Sequence, residues 1–485
     1  MEVLNKEFAT KNKLIESHQF DLPERVIQFG TGVLLRGLVD YVIDKANKKN
    51  KFNGRVVVVK TTNSDASDFD KQDGIFTQNE NGIENGTVFK KTTINTSISR
   101  VVSANENWME ILKLAENLNF DIIVSNTTEA GLKYVNDDDF RATPPKSFPL
   151  KLLVFLYHRF KIVSGKGNGF IIIPTELLVG NGDLLKKFVI QHAQVNNLPE
   201  EFTNWLNTEC RFCNSLVDRI VTGAPNESER KILENQLGYE DNLMINSESF
   251  LLWAIEGDAY VKEKLCFSET DSRVIIVTNI ENYREQKLRI LNGGHTISVP
   301  LAFLKGLLTV GEMMNDTTMK VFVEEVLKNE IAPTLNFDTT EFTNNVLDRF
   351  RNPFIEHKLI SITFECSSKM NARNAITIVR YFEKFGALPE KMILGFAAYL
   401  LFTKPVKNDG EKFFGQTASG EYYLIQDTFA SFFEKTWKET DLNSASSLKK
   451  FVQTVLDNPL IFDDKLKSIP LFIESVANQL LIYCY

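Results

Sequence analysis

Nine residues, 287–295, read K-L-R-I-L-N-G-G-H and bring a basic group, an amide and an imidazole into one short stretch. On an α-helix, at 100° per residue, Asn292 lies about 140° from Lys287 and His295 about 80°. All three side chains can therefore lean toward one side. A lysine can give a proton to a carbonyl oxygen, an asparagine N–H can hold that oxygen, and a histidine can orient the group beside it. A carbonyl reductase that works without a metal needs those functions. The competing reading is an amphipathic helix with a solvated lysine and a hydrogen-bonded histidine, so the choice turns on what the rest of the chain carries.

Such a triad needs elements to position it. Residues 25–30 (R-V-I-Q-F-G) read as a strand, followed by a helix over about 32–50. Arg55–Lys60 (R-V-V-V-V-K) reads as a second strand, and its run of valines fits burial on both faces of a parallel sheet. Residues 84–102 read as a hairpin or meander, and 121–125, 169–174 and 273–278 as further buried strands. With helical segments between them the pattern is α/β, with right-handed crossovers expected. Past about residue 280 the apolar residues recur every three to four, as in 301–310, 318–329, 375–385 and 448–456, which predicts a mainly helical half. Residues 403–421, with Pro, Lys, Asp and Gly, read as a long loop. The expected domains are 1–280 and 281–485.

The first strand ends in a possible nucleotide site. Gly30-Thr31-Gly32, just after Phe29, sits where a dinucleotide fold needs glycines. The first makes the tight turn, and the second lets backbone approach a pyrophosphate resting on the helix N-terminus. The usual third glycine falls on Leu35, and a glycine appears only at Gly37. Arg36 can face phosphate or substrate, or make a surface salt bridge. The second strand ends in Lys60-Thr61-Thr62 rather than the acidic residue that takes ribose hydroxyls. Lys60 can meet a 2′-phosphate instead, so these residues admit both NAD and NADP. Ser125-Asn126-Thr127 opens the loop after another strand, where Asn126 and Thr127 can touch ribose and nicotinamide or simply cap a turn.

Composition narrows the classes. The 485 residues are 43% hydrophobic with a formal net charge of −8. That size fits two large domains, and the mild acidity argues against nucleic acid as a partner. The N-terminus has no basic segment followed by an apolar one, so no signal peptide is expected. No apolar run approaches the roughly 20 residues of a membrane span. Five cysteines in so long a chain make no disulfide framework. Cys210 and Cys213 form a lone C-x-x-C without two further ligands nearby, so no metal site is expected. Cytoplasmic location is the expectation.

Several motifs in order then carry a resemblance. K-x-x-x-x-N-x-x-H at Lys287, Asn292 and His295, V-D-R-I at 217–220, R-V-I-Q-F-G-T-G near residue 25 and R-F-R-N-P at 349–353 resemble the polyol-specific long-chain dehydrogenases, the mannitol dehydrogenase family. Q-D-G at 72–74, S-N-T-T-E-A-G at 125–131 and I-I-I-P-T-E-L at 171–177 point to its uronate-reducing branch. The resemblance implies a Rossmann-type N-terminal domain, a helical C-terminal domain, a cleft between them, NAD(H), no zinc, and interconversion of a secondary alcohol and a ketone. It makes Lys287 the general acid/base and Asn292 a holder of the reacting oxygen. The family's second asparagine falls on Glu176, and a carboxylate cannot donate a hydrogen bond unless protonated. Glu176 then orients Lys287, accepts from a substrate hydroxyl or relays a proton, or else is a cap or salt-bridge carboxylate. A family arginine before the S-S-K segment falls on Ser361, so its role does not carry over.

The expected reaction interconverts D-tagaturonate and D-altronate. A hydride from the nicotinamide goes to the keto carbon while Lys287 protonates the oxygen. In the reverse direction Lys287 takes the proton, which burial or a nearby positive charge makes easier. His295 would bond the reacting hydroxyl or its neighbour. Asp218 would bind a substrate hydroxyl or position the lysine, against the alternative of an ion pair with Arg219. A uronate also needs a cation for its carboxylate. Arg36, Arg349, Lys358 and Lys369 are the candidates, arginine offering a fork and lysine a point charge. The alternatives are a fructuronate/mannonate or mannitol/fructose enzyme of the same family, a sugar-phosphate dehydrogenase, or a non-catalytic relative. The expected partner is a small sugar acid, with no nucleic acid and no membrane, and the protein a monomer or weak oligomer.

Overall fold

The computed structural model describes residues 1–127 and 131–483. Thr128, Glu129 and Ala130, in the middle of the 125–131 motif, lie outside the described residues. Contacts divide the chain into two units, Met1–Asn81 with Phe89–Ile280, and Gly82–Val88 with Glu281–Tyr485.

The first unit is built on six strands, every neighbouring pair parallel. Across the sheet they run Ile98–Ser103, Arg55–Lys60, Glu24–Phe29, Ile122–Ser125, Ile171–Pro174, Arg211–Phe212. Numbered along the chain, that is the order 3-2-1-4-5-6 of dinucleotide-binding folds. The order reverses between Glu24–Phe29 and Ile122–Ser125, where Phe29 lies opposite Ser125. The valine run explains its own burial. Successive side chains point to opposite faces, so Val56 and Val58 enter one core layer while Val57 and Val59 enter the other. Each such side chain contributes about 1.5–3 kcal/mol by leaving water.

Two strand expectations are modified. The hairpin begins earlier than 84–102, with Phe76–Glu84 turning through Asn85-Gly86 into Thr87–Asn95, and Ile98–Ser103 then leaves it for the parallel sheet. Asn-Gly is the favoured two-residue hairpin turn. The 273–278 run does form a strand, Val274–Val277, but in a separate three-stranded sheet with Leu252–Glu256 and Ser215–Asp218.

The second unit is mainly helical. The apolar run 301–310 is not one helix. Gly294–Leu304 stops short of Gly306, whose φ of +90° lies in the left-handed region. A new helix, Val310–Asn315, starts behind Thr309, whose hydroxyl accepts the Glu312 N–H at 3.1 Å. The expected loop 403–421 is corrected to a small antiparallel sheet of Lys407–Asn408, Phe413–Gln416 and Tyr422–Ile425. Its register is held by packing that polarity concealed. Gly415 leaves room for the Tyr423 ring, since a Cβ there would sit 2.2 Å from Tyr423 Cζ. The Tyr423 hydroxyl donates to the Phe402 carbonyl at 2.8 Å. Among the described residues no helix is long and apolar enough to cross a membrane.

Candidate active site

The nucleotide end is built at the point of strand reversal. Phe29 is buried against Phe148, so it offers backbone rather than side chain. Gly30 has φ +127°, and a Cβ would lie 3.2 Å from the Asn126 carbonyl oxygen, so glycine is required. Thr31 is half-buried, and Gly32, with nothing among the described residues within 4 Å of a Cβ, leaves the start of helix 33–47 open to a ligand. Gly37 does the work of the missing third glycine two residues late. A Cβ there would be 2.6 Å from Val221 Cγ2, so the helix lies against its neighbour only because none is present. These features fit the pyrophosphate of a dinucleotide.

Arg36 is committed to the fold. It is buried, donates from Nη1 to the Leu243 carbonyl at 2.6 Å, and lies over the Phe69 and Phe76 rings. That position turns one guanidinium nitrogen to the fold rather than to a phosphate or carboxylate. Lys60 is buried at the end of its strand. Asn126 Nδ2 donates to the Thr175 carbonyl at 3.1 Å and to Thr175 Oγ1 at 2.9 Å, tying together the loops after two adjacent strands.

Glu176 is buried beside those loops. Its Oε1 accepts the Thr127 N–H at 2.8 Å and the Thr127 hydroxyl at 3.1 Å, and its Oε2 accepts the Ser125 hydroxyl at 3.3 Å. Burial raises its pKa, and those hydrogen bonds only partly oppose the rise. The carboxyl is thus a brace for the 125–127 loop and makes no ion pair among the described residues. Asp218 is buried at the end of Ser215–Asp218. The alternative of an ion pair with Arg219 fails, because Arg219 turns elsewhere. Its side chain is fully buried, donating to Glu80 at 2.7 Å, to the Gly37 carbonyl at 2.5 Å and to the Glu248 carbonyl at 2.9 Å. Sequence adjacency concealed that role.

In the second unit Lys287, Asn292 and His295 share one continuous helix, 281–304, but its middle is not α-helical. Lys287–Gly293 is a π-helical turn between Glu281–Gln286 and Gly294–Leu304. An i→i+5 turn is wider than an α turn, so residues five apart lie closer to one face. Lys287 and Asn292 are therefore better aligned than α-helical geometry predicts. Gly293 and Gly294 allow the neighbours of this turn to come close. A Cβ on Gly293 would lie 2.8 Å from Asn374 Oδ1, and one on Gly294 2.6 Å from Leu327 Cδ2.

His295 stacks on Phe350 at 4.0 Å and meets His357 edge-on at 5.3 Å. Burial, then His357, Arg349 and Arg373, hold its pKa well below the usual histidine value, so the ring is neutral. Nδ1 is sealed in without a hydrogen-bond partner among the described residues. A buried orphan N–H costs more than an orphan lone pair, so the proton belongs on Nε2, which makes that nitrogen a donor.

The expected carboxylate cations separate. Lys358 is exposed beside Glu356 at 3.8 Å, a surface charge. Arg349 ends the helix Thr340–Phe350 and lies near His295. Lys369 is half-buried, with Nζ on the Ile362 carbonyl at 3.1 Å. Sequence reading missed Arg373, which also acts on His295. Its position four residues after Lys369, one helical turn, was the available signal. Cys210 and Cys213 are buried thiols pushed up to about 12 by burial, a poor basis for metal or redox chemistry.

Known proteins match over nearly the whole chain. The model of the mannitol dehydrogenase Rossmann domain matches residues 24–268, and that of the mannitol dehydrogenase C-terminal domain matches 279–484. Altronate oxidoreductase of Halalkalibacterium halodurans is 35% identical, covering 99% of this chain and 95% of the relative. That of Pectobacterium atrosepticum is 37% identical over 94% of each, and that of Bacillus subtilis 35% over 97% and 94%. Among solved structures, a substrate-free D-sorbitol dehydrogenase has TM-score 0.75 at 19% identity, covering 96% of this chain and 93% of the other. Pseudomonas fluorescens mannitol 2-dehydrogenase, in ternary complex with NAD and D-mannitol, has TM-score 0.66 at 21% identity, with 99% and 96% covered. With both halves matched in order, the chain belongs to the mannitol dehydrogenase family.

Proposed function

We propose that this chain is an NAD-dependent oxidoreductase that interconverts D-tagaturonate and D-altronate, with Lys287 as general acid/base and no metal. The observation that carries the mechanism is the π turn Lys287–Gly293, which aligns a lysine and an asparagine next to a neutral histidine. The altronate oxidoreductases, similar over nearly their full length, support the substrate. In this reading the first unit holds the cofactor and the second acts on the substrate. The reading fits uronate catabolism in the cytoplasm, with a small sugar acid as the partner.

Gly30, Thr31 and Gly32 would hold the pyrophosphate at the helix N-terminus, with Lys60, Asn126 and Thr127 bordering the rest of the dinucleotide. When bound, the nicotinamide supplies or takes the hydride at the keto carbon. Lys287 in its ammonium form gives a proton to the carbonyl oxygen as negative charge grows there, and a side-chain N–H of Asn292 holds that oxygen. His295 Nε2–H donates to the adjoining hydroxyl. Glu176 keeps the 125–127 loop in shape rather than donating to the reacting oxygen.

The test follows NADH absorbance with purified protein and D-tagaturonate, D-fructuronate and D-fructose in parallel. Preference for D-tagaturonate is expected. Lys287→Ala should lower turnover by about 10²–10⁴-fold while NADH still binds. Preference for another substrate overturns the substrate assignment, and full turnover by Lys287→Ala defeats the mechanism. Silence with all three, and again with NADPH, favours a sugar phosphate or a non-catalytic role.

A further inference from the structure

We propose that Arg373 receives the substrate carboxylate and sets the preference for a uronate over the matching neutral ketose. The inference rests on the oxidoreductase reading above and adds the group that recognises the acid.

Arg373 belongs to the turn Met370–Ala375, which packs against the turn bearing Lys287 and Asn292 where Asn374 meets Gly293. Its Nη1 donates to Thr296 Oγ1 at 3.0 Å and reaches the Asn292 carbonyl oxygen at 3.5 Å. The Thr296 hydroxyl donates to that same carbonyl at 2.9 Å. One nitrogen thus anchors the guanidinium one helical turn from the asparagine that would hold the reacting oxygen. Nε and Nη2 make no hydrogen bond among the described residues and are not sealed in the interior. Those two N–H groups form a side-on fork that matches the two oxygens of a carboxylate.

The charge of Arg373 distinguishes it from most arginines of the same unit. Arg284 faces Glu281, Arg289 and Arg380 face Glu285, and Arg351 faces Glu324 and Asp348. Arg373 faces a hydroxyl and a carbonyl, with no carboxylate partner among the described residues. It is half-buried, and burial lowers its pKa with no acidic neighbour opposing it. Lys369, one turn earlier, feels its repulsion, and Arg349 adds to the positive surroundings of His295. A cation held partly out of water without a counter-ion is unfavourable until a ligand brings one. A linear keto sugar acid brings one carboxylate, a few bonds from its keto carbon.

The test uses the full-length enzyme with Arg373→Ala and Arg373→Lys. Thermal melting and NADH titration check that each variant folds and binds cofactor. Kinetic constants are measured with D-tagaturonate and D-fructuronate. D-tagatose, with a hydroxymethyl group in place of the carboxylate, serves as substrate or competitive inhibitor. Arg373→Ala is expected to lose on the order of 100-fold in kcat/KM for the uronate, mostly through KM. Arg373→Lys should fall between it and the native enzyme, and the constants for D-tagatose should hardly move. Equal losses for the acid and the neutral ketose would mean that Arg373 acts only by bracing Asn292, which overturns the proposal. Unchanged uronate kinetics overturn it too. If the native enzyme reduces D-fructose but neither uronate, the functional reading itself has failed, and the carboxylate site falls with it.

Discussion

Asp40 should make the first unit lose stability as the solution becomes alkaline. It lies on helix 33–47, completely buried, three residues after the packing glycine Gly37. Gln28 Nε2 donates to its Oδ2 at 3.1 Å, while Oδ1 has no hydrogen-bond partner among the described residues. Burial pushes the carboxyl from 3.8 up to about 7, with Gln28 and Arg36 pulling it down and Asp44 pushing it further up. The folded pKa is the higher one, so the folded chain keeps the proton longer. Stability is therefore highest where Asp40 is protonated in both states, and it falls as pH rises from about 4 through about 7. A shift of about 3 units is worth about 4 kcal/mol in full, of which about 2 kcal/mol is lost between about pH 5.5 and 8.5. Asp40→Asn keeps an acceptor for Gln28 and removes the titration. Urea unfolding of both proteins across this range checks the idea, read by tryptophan fluorescence. Three of the four tryptophans, Trp108, Trp205 and Trp253, lie in the first unit. The transition that carries them is the one to analyse, because a chain of two units need not unfold in one step. The advantage of Asp40→Asn over the native chain should grow by about 2 kcal/mol from about pH 5.5 to 8.5. A difference that stays constant across that range would refute the reasoning.

Two further substitutions probe the supports of the site. Glu176→Gln keeps an acceptor for the Thr127 N–H, whereas Glu176→Ala strands that donor, so Ala should cost about 1–3 kcal/mol more than Gln in urea unfolding and lower turnover with it. Indistinguishable variants would show that the loop does not need the brace. Gly37→Ala forces a Cβ to 2.6 Å from Val221 Cγ2. Overpacking of about 1–3 kcal/mol then competes with a helix-propensity gain of about 1 kcal/mol, for a net loss of stability. Adding Val221→Ala should restore part of that loss, and a Gly37→Ala chain more stable than the native one would contradict the packing argument.

What could be read from the chain was what local chemistry dictates. The valine run fits only a strand buried on both faces, and Gly30 sits where a tight turn is required. Arg36, Arg219 and Arg373 could not be assigned in the same way, because the fate of a charged side chain depends on partners remote in sequence. Arg36 ends on a carbonyl 207 residues away, and Arg373 on a hydroxyl 77 residues away. Residues 403–421 were misread for a related reason. Their Gly and charged residues look like a loop, while the Tyr423 ring that makes Gly415 a packing position comes from the neighbouring strand.

The π turn shows how such remote packing feeds back on the signature. Helical-wheel arithmetic at 100° per residue leaves Lys287 and Asn292 about 140° apart, an awkward separation for two groups that act on one oxygen. An i→i+5 turn takes more residues to close than an α turn, so a five-residue spacing overshoots one full turn by less, and α-helix resumes at Gly294. His295, three residues past Asn292, therefore follows close to α-helical spacing. K-x-x-x-x-N-x-x-H is thus one π turn followed by most of an α turn, with lysine, asparagine and histidine brought toward one face. A π turn is rare in isolation and needs tertiary support. Here the support comes at the two glycines inside the motif, where Asn374 closes on Gly293 and Leu327 on Gly294. Both neighbours sit in π turns of their own, Met370–Ala375 and Val326–Ile331. The glycines of the motif are then as necessary to the chemistry as its lysine, because they let the backbone take the geometry that aligns the reacting groups.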